Sequence, residues 1–381
     1  MSAPRVGVIG GGQLARMMQP VAVNLNIKLR VLCTAADESA AQVIPDVILG
    51  SHDNIAKVLE FAQDCDVVTF DHEHVPEQVL SALVSAGVNL QPKPEALRFA
   101  QDKLMMRAAL SEAGIPCPKW AQVSNAEDLN QFSLEVGWPL ILKSAKGGYD
   151  GKGVWLVADQ TEALSVIADI HKHDQEVLAE ECIQFVQELA AQVARSPHGQ
   201  SVAYPIVKST QTDGICHEVI APCPDLSDDR AVQAQEIALK LAALLDVTGM
   251  LAVELFDTGS ELLVNELAMR PHNSGHWSMD GAVTSQFENH LRAVLDWPLG
   301  SPATVAPITV MVNLLGKDLA DLHSAFRHVM ARDPNIKVHL YGKTVKPGRK
   351  IGHVNVIGDN LEDLKQRAWH AADYLTGVID E

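Results

Sequence analysis

The sequence predicts an α/β protein in three parts: a glycine-rich βαβ unit first, a larger α+β lobe in the centre, and a small unit at the end. Three observations carry this. Arg5-Val-Gly-Val-Ile9 is a short β-rich run that passes through Gly10-Gly-Gly into a helical pattern. Strands and helices then alternate as far as Pro92 and Pro94, and Trp297-Pro with Pro302 punctuates the chain again, so the expected units are 1–97, 98–297 and 298–381. A chain of 381 residues is also too long for one ordinary core.

Composition removes several classes of function. Forty-seven percent apolar and 20% charged residues are ordinary for a soluble protein. A net charge of -18 argues against a nucleic-acid footprint, which needs clustered Lys and Arg. Any phosphate-bearing ligand must therefore be drawn in by local basic or backbone N–H groups. No run reaches the roughly 18 apolar residues of a membrane span, and Met1-Ser-Ala-Pro-Arg5 leads into a strand without a secretory h-region. The six cysteines include no C-x-x-C pair and read as reduced, buried hydrophobes rather than disulfides or zinc ligands. A cytoplasmic enzyme is expected.

In order, the first strand, glycine turn and helix form an anion-cradling arrangement, with free N–H groups in the first helical turn. Formally this is G-x-G-x-x-A, as in dinucleotide-binding enzymes, but that fingerprint needs an acid ending the second strand. The strand at 28–32 ends instead in Cys33 and Thr34, with Asp37 displaced, which weakens a nicotinamide-dependent oxidoreductase. A helix near 55–64 and a strand at 66–70 follow. The tip of that strand carries Asp71-His-Glu-His-Val-Pro76, where open α/β sheets place ligand groups. Residues 95–112 read as one helix with Lys103 and Arg107 basic, stopped at Ala113-Gly-Ile-Pro.

A buried strand at 138–143 ends in Lys143, followed by a glycine-rich hairpin through Gly147, Gly148, Gly151 and Gly153 and a second strand at 154–157. Such a loop can fold over phosphates, although it lacks the P-loop pattern. A lysine ending an apolar strand needs a partner such as phosphate. After a helix at 159–173, the strand 177–181 ends in Glu180 and Glu181, and 188–195 is another strand. Residues 204–207 and 217–220 are expected to pair as antiparallel strands, and 226–245 is a long amphipathic helix. Two hydrophobic strands, 249–256 and 261–266, carry Glu254 and Glu266; a carboxylate inside such a run is costly to bury without a cation, which suggests Mg²⁺. In the tail, a strand at 308–314 precedes the basic cluster Lys346-Pro-Gly-Arg-Lys-Ile-Gly-His353, a second anion-site candidate.

The densest stretch is 264–277. After an apolar strand it presents Glu266, Arg270, His272, His276, Asn265 and Asn273, interrupted by a proline and a glycine that forbid a continuous helix. A crowd of hydrogen-bonding groups after a buried strand is where function concentrates.

Taken together, the glycine βα unit, lysine strand, glycine hairpin, strand-end acids and paired carboxylates resemble the ATP-grasp superfamily of carboxylate–amine ligases. Within it, Gly10-Gly-Gly-Gln-Leu, Gly148-Tyr-Asp-Gly-Lys-Gly, Arg270-Pro-His-Asn-Ser-Gly-His-Trp277 and Pro347-Gly-Arg-Lys-Ile-Gly-His353 resemble the N5-carboxyaminoimidazole ribonucleotide synthetase family of purine biosynthesis. The resemblance implies a Rossmann-like first domain, an ATP-grasp domain with a mobile lid at about 118–180, a small C-terminal domain and a homodimer. It implies ATP, bicarbonate and 5-aminoimidazole ribonucleotide as substrates, with carboxyphosphate as intermediate and either free CO₂ or direct transfer after it. Another ATP-grasp ligase or carboxylase with a different acceptor is the alternative.

Residue by residue, the resemblance places Lys103, Lys143 and the loop Gly148, Tyr149, Asp150, Gly151, Lys152 and Gly153 around ATP. Glu180, Glu181, Cys182, Ile183 and Glu188 complete that side, with Asn265 and Glu266. Glu254 and Glu266 would hold Mg²⁺, as two ions, with Mn²⁺ a substitute. Arg270, His272 and Asn273, with Lys143, would be the catalytic group around bicarbonate and carboxyphosphate. Gln13, Leu14, Glu73, Asp150, Lys343, Arg349 and Lys350 would contact the ribonucleotide. The chain departs from the family pattern at Lys103, where arginine is usual, at Met269, usually proline, at Ala190, usually serine, and at Lys208-Ser209, usually Glu-Asn.

Overall fold

The structure is a computed structural model that describes residues 3–148, 151–317 and 321–379. The N-terminal unit is a parallel sheet of Asp46–Leu49, Lys28–Cys33, Arg5–Ile9 and Val67–Phe70, in that order. Val8 pairs with Val31 on one side and with Thr69 on the other. Val6, Val8, Ile9, Val31, Val67, Val68 and Phe70 are all buried, as expected of parallel strands covered on both faces. The half-exposed edge strand Asp46–Leu49 and the helix Glu77–Ser85 had no clear signature in the sequence.

The single helix expected at 95–112 is two, Pro94–Gln101 and Lys103–Glu112. Asp102 breaks it with φ -131° and ψ 110°, and its carboxylate accepts the N–H groups of Leu104 (3.0 Å) and Met105 (3.1 Å). It is an N-cap in the middle of an apolar pattern that periodicity alone reads as continuous.

The lid is a separate antiparallel sheet, ordered Trp120–Gln122, Val177–Glu181, Leu140–Ser144, Val154–Val157. Helices Ala126–Val136 and Gln160–Lys172 close its own core, which includes Leu129, Phe132, Leu142 and Ile167.

The largest sheet has nine strands, all antiparallel. Its main path runs Leu262–Ala268, Gly249–Asp257, Gln187–Arg195, Val207–Thr212, Ile215–Ala221, Ile308–Leu315, Lys350–Gly358 and Lys337–Leu340, and Ser201–Ala203 adds to the edge of Gln187–Arg195. Two expectations change here. Residues 204–206 are a connector, and the strand begins at Val207 because it pairs with Ala190. The tail also shares a sheet with the centre, since Ile220 pairs with Val310 across residue 297. Helix Asp228–Leu244 packs on one half of this sheet and Leu361–Thr376 on the other. Helix Gln286–Val294 packs against Gln13–Asn24, joining the first unit to the centre. Among the described residues no helix is long and apolar enough to cross a membrane, and all six cysteines are free.

Candidate functional site

The three sheets enclose one cleft of about 1130 Å³. The first unit contributes Gln13, Leu14 and the strand tip at 71–77; the lid contributes Lys143, Lys146, Gly148, Gly151 and Glu180 to Ile183. The central sheet contributes Gln211, Glu254, Phe256, Asn265 to Ala268 and Lys350, and after its edge strand stand Arg270, His272, Asn273 and His276. Residues from all expected groups therefore meet in one space.

On the lid side, Lys143 is at the strand end as anticipated, with Nζ 2.7 Å from Glu180 Oε2 and donating to Asn265 Oδ1 at 3.1 Å. Glu180 also receives Arg107 Nε at 2.6 Å. Burial alone would raise this carboxyl; the charges and hydrogen bonds of Lys143 and Arg107 outweigh it and hold Glu180 at about 2. Arg107, fully buried, also donates to the carbonyls of Val264 (3.0 Å) and Asn265 (2.8 Å). Arg107 is thus a buried strut rather than a ligand group, while Lys103 reaches the cleft and donates to Gly147 O at 3.0 Å. Glu181 Oε1 accepts the Lys119 N–H at 2.7 Å. Cys182 and Ile183 line the wall; Lys152, Gly153 and Glu188 are not among the described lining residues, and Tyr149 and Asp150 lie outside the described residues.

Glu254 and Glu266 are direct register partners on adjacent antiparallel strands, beside a β-bulge. Glu188, on the strand Gln187–Arg195 that flanks the other side of Gly249–Asp257, pairs with Phe256 and so lies diagonally from Glu254. Burial and then repulsion from Glu266 and Glu188 raise Glu254 to about 8, and burial raises Glu188 to about 7. Ala190 sits opposite Glu254 in the register.

The 264–277 stretch is largely buried, not a solvated loop: its strand continues to Ala268, and Asn273–Gly275 is a short 3₁₀ turn. Met269 is buried in the apolar core with Val264 and Leu267, so an apolar side chain rather than proline geometry is what this position requires. Arg270 Nε donates to Glu73 Oε2 at 2.7 Å; burial disfavours its charge, but Glu73, Asp71 and Glu266 together raise its pKa. His272 Nδ1 accepts the Ser274 N–H at 3.3 Å, which leaves the ring proton on Nε2, 3.8 Å from Glu254 Oε1. Burial and the charges of Arg270 and Lys350 push His272 down to about 3, so it is neutral. Asn273 exchanges hydrogen bonds with Asn313, donating at 3.0 Å and accepting at 2.7 Å.

At the first unit's end, the glycine turn does not wait for an external anion. Asp71 Oδ1 accepts the Ala15 N–H at 2.8 Å, and the carboxylate lies directly against Gly12. Glu38, not Asp37, turns back on the second strand's end, taking the N–H groups of Thr34 (2.7 Å) and Ala35 (3.1 Å). Neither group is left for a dinucleotide. Lys343 lies off the cleft wall and donates to Gln13 Oε1. Arg349 is exposed and donates to Thr344 O at 3.3 Å, and Lys350 reaches the wall.

Several positioning residues had no signature in the sequence. Gln286 accepts the His272 N–H (2.8 Å) and donates to the His272 carbonyl (2.8 Å) and to His276 Nδ1 (2.9 Å). Gln192 donates to Ser274 Oγ at 3.2 Å. These amides are found only when distant elements meet. Lys146, immediately before Gly147, could have been taken from the same glycine-loop signal as Lys143.

Comparison with known proteins gives one consistent result. A profile of the ribonucleotide synthetase pre-ATP-grasp domain matches residues 3–101, the ATP-grasp domain 108–287, and the phosphoribosylaminoimidazole carboxylase C-terminal domain 309–367. The N5-carboxyaminoimidazole ribonucleotide synthase of Mycobacterium bovis is 50% identical over 378 residues, covering 98% of this chain and 88% of that protein. That of Corynebacterium ammoniagenes is 47% identical, covering 98% and 92%. The crystal structure of the Thermus thermophilus synthetase aligns with a TM-score of 0.88 at 34% identity over 99% of both chains. The Aspergillus clavatus enzyme, solved with ADP and 5-aminoimidazole ribonucleotide, aligns with a TM-score of 0.89 at 32% identity over 98% of this chain and 99% of that one.

Proposed function

The chain belongs to the N5-carboxyaminoimidazole ribonucleotide synthase family, and from that premise we propose how its cleft divides the work of an ATP-dependent carboxylation. It is an ATP-grasp ligase of purine biosynthesis that uses ATP to carboxylate 5-aminoimidazole ribonucleotide. The finer assignments are our reading. ATP lies between the lid and the central sheet, with Lys143 and the glycine loop on its phosphates. Bicarbonate lies against Arg270 and His272. One bicarbonate oxygen attacks the γ-phosphorus and ADP leaves; the amine of the ribonucleotide then bonds to the carboxyl carbon, inorganic phosphate departs, and the amine gives up a proton. Arg270 offers positive charge to the oxygens, and neutral His272 offers its Nε2–H.

Glu254 and Glu266 fit a divalent cation: they are hard oxygen donors facing each other, and Glu254 is raised to about 8 by burial and then by the repulsion of Glu266, which a cation relieves. Among the described residues no group of three or more His, Cys, Asp or Glu is arranged to hold a metal alone, which suits Mg²⁺ completing its shell from phosphates and water. When bound, it would neutralise charge on the transferring phosphoryl group. Asn273, already paired with Asn313, is assigned to shaping the wall rather than to gripping bicarbonate. Three functional units, a homodimer and a cytosolic location complete the reading.

The observation that carries it is the passage, within a few residues of one backbone, from the acid pair's Glu266 to Arg270 and His272 in the same cleft. A coupled ADP-release assay tests it, with bicarbonate and aminoimidazole ribonucleotide omitted in turn. Full turnover is expected only with both present; ADP release indifferent to bicarbonate would refute the assignment.

A further inference from the structure

The glycine turn at the start of the chain is shaped to hold an anion, and the chain supplies that anion itself. Asp71 follows the strand Val67–Phe70, accepts the Ala15 N–H at 2.8 Å and lies against Gly12, and these two residues bracket Gln13 and Leu14. Gly12 has φ -78°, so no left-handed conformation demands glycine there. The close approach does: a Cβ on Gly12 would stand 2.0 Å from Asp71 Oδ2. Asp71, Gln13 and Leu14 all line the cleft, and the charges facing the carboxylate are Arg270 and Lys343.

We infer that Asp71 is a positioning residue for the acceptor substrate: it occupies the anion cradle, fixes Gln13 and Leu14, and so decides which end of the ribonucleotide enters here. With the cradle filled by a carboxylate, the substrate's phosphate is excluded from the N–H groups of the turn and left to basic side chains, while uncharged, hydrogen-bond-donating groups of the ribonucleotide face Asp71 and Gln13. Burial raises Asp71 to about 6, and the Ala15 N–H and the nearby cations oppose that. The inference rests on the proposed function and on the reading that aminoimidazole ribonucleotide lies against Gln13, Leu14 and Glu73.

The test is steady-state ADP release by the full-length protein carrying Asp71→Ala, Asp71→Asn, Gly12→Ala, and Gly12→Ala with Asp71→Ala. Asp71→Ala is expected to raise the KM for aminoimidazole ribonucleotide at least tenfold with the KM for ATP within twofold of wild type. Gly12→Ala should do the same by displacing the carboxylate, and the double variant should be no worse than either single, because the clash partner is gone. An unchanged acceptor KM in Asp71→Ala, a parallel rise in the ATP KM, or multiplying effects in the double variant would overturn the inference. If Asp71→Ala does not fold, Asp71→Asn decides by the same two constants, since it keeps the volume and opposes one N–H donor with its own. A wild-type enzyme that ignores added aminoimidazole ribonucleotide would overturn the functional reading itself, and this inference with it.

Discussion

Glu254 and Glu266 face one another, and burial with their repulsion outweighs the charge of Lys350 nearby, so the ligand-free protein bears that cost. A site that works only with a cation is under strain without one, the usual exchange of stability for activity. Glu254→Gln should therefore raise the melting temperature of the ligand-free protein by about 2 °C or more while abolishing ADP release. Differential scanning calorimetry checks this; a lower melting temperature would show that the acids are not in conflict. Arg270 presents the opposite case. Its Nε is held by Glu73 of the first unit and its Nη1 donates to the Pro271 carbonyl at 3.2 Å, while the side chain lines the cleft. Arg270→Ala should leave the ATP KM near wild type and remove bicarbonate-dependent ADP release; retention of that activity would count against its role.

At the scale of elements, the Arg107–Glu180–Lys143 network ties a helix, two lid strands and the strand bearing Glu266 into one node. Both Arg107 and Glu180 are essentially fully buried, so removing one charge strands the other. Glu180→Gln should cost about 3 kcal/mol or more in stability, read as a lowered urea midpoint; a loss below about 1 kcal/mol would mean the node is dispensable. The sequence made much of this level legible. Lys143, the glycine hairpin, Glu254 and Glu266 stood out because a charge inside an apolar strand is rare and a glycine cluster between strands is specific. Arg107 did not show its role, because helical periodicity cannot say whether a basic residue points to solvent or into a core. Asp102 was hidden for a related reason: an N-cap inside an apolar pattern looks like helix until the backbone is seen. Gln192, Gln286 and Asn313 were invisible, since an amide's importance lies wholly in partners far away in sequence. The turn at Gly10–Gly12 reads in the sequence as an anion cradle with free N–H groups, and that Asp71 lies against it could be found only from the parallel pairing of Arg5–Ile9 with Val67–Phe70.

Across the whole molecule, His290 joins the first unit to the central sheet. Its Nδ1 accepts the Met250 N–H at 3.1 Å, so its Nε2–H is left to donate to Thr69 Oγ1 at 2.9 Å. Burial pushes it down to about 3, against 6.5 for a free imidazole. Below 6.5 the unfolded chain takes up the proton first, so the stability His290 contributes is complete above 6.5 and declines as the pH falls toward 3. The stability difference between wild type and His290→Asn should therefore narrow by roughly 1 kcal/mol per pH unit below 6.5; a constant difference from pH 7 to 5 would mean His290 is not held neutral. Such joints keep three sheets around one cleft, so that phosphate can pass from the lid side to the Arg270 side without meeting bulk water. The most direct test of that passage is isotope transfer with ¹⁸O-labelled bicarbonate, ATP and aminoimidazole ribonucleotide. One ¹⁸O atom is predicted in the inorganic phosphate released, because the bond broken joins the carboxyl carbon to that oxygen. Phosphate free of label under full turnover would contradict the account.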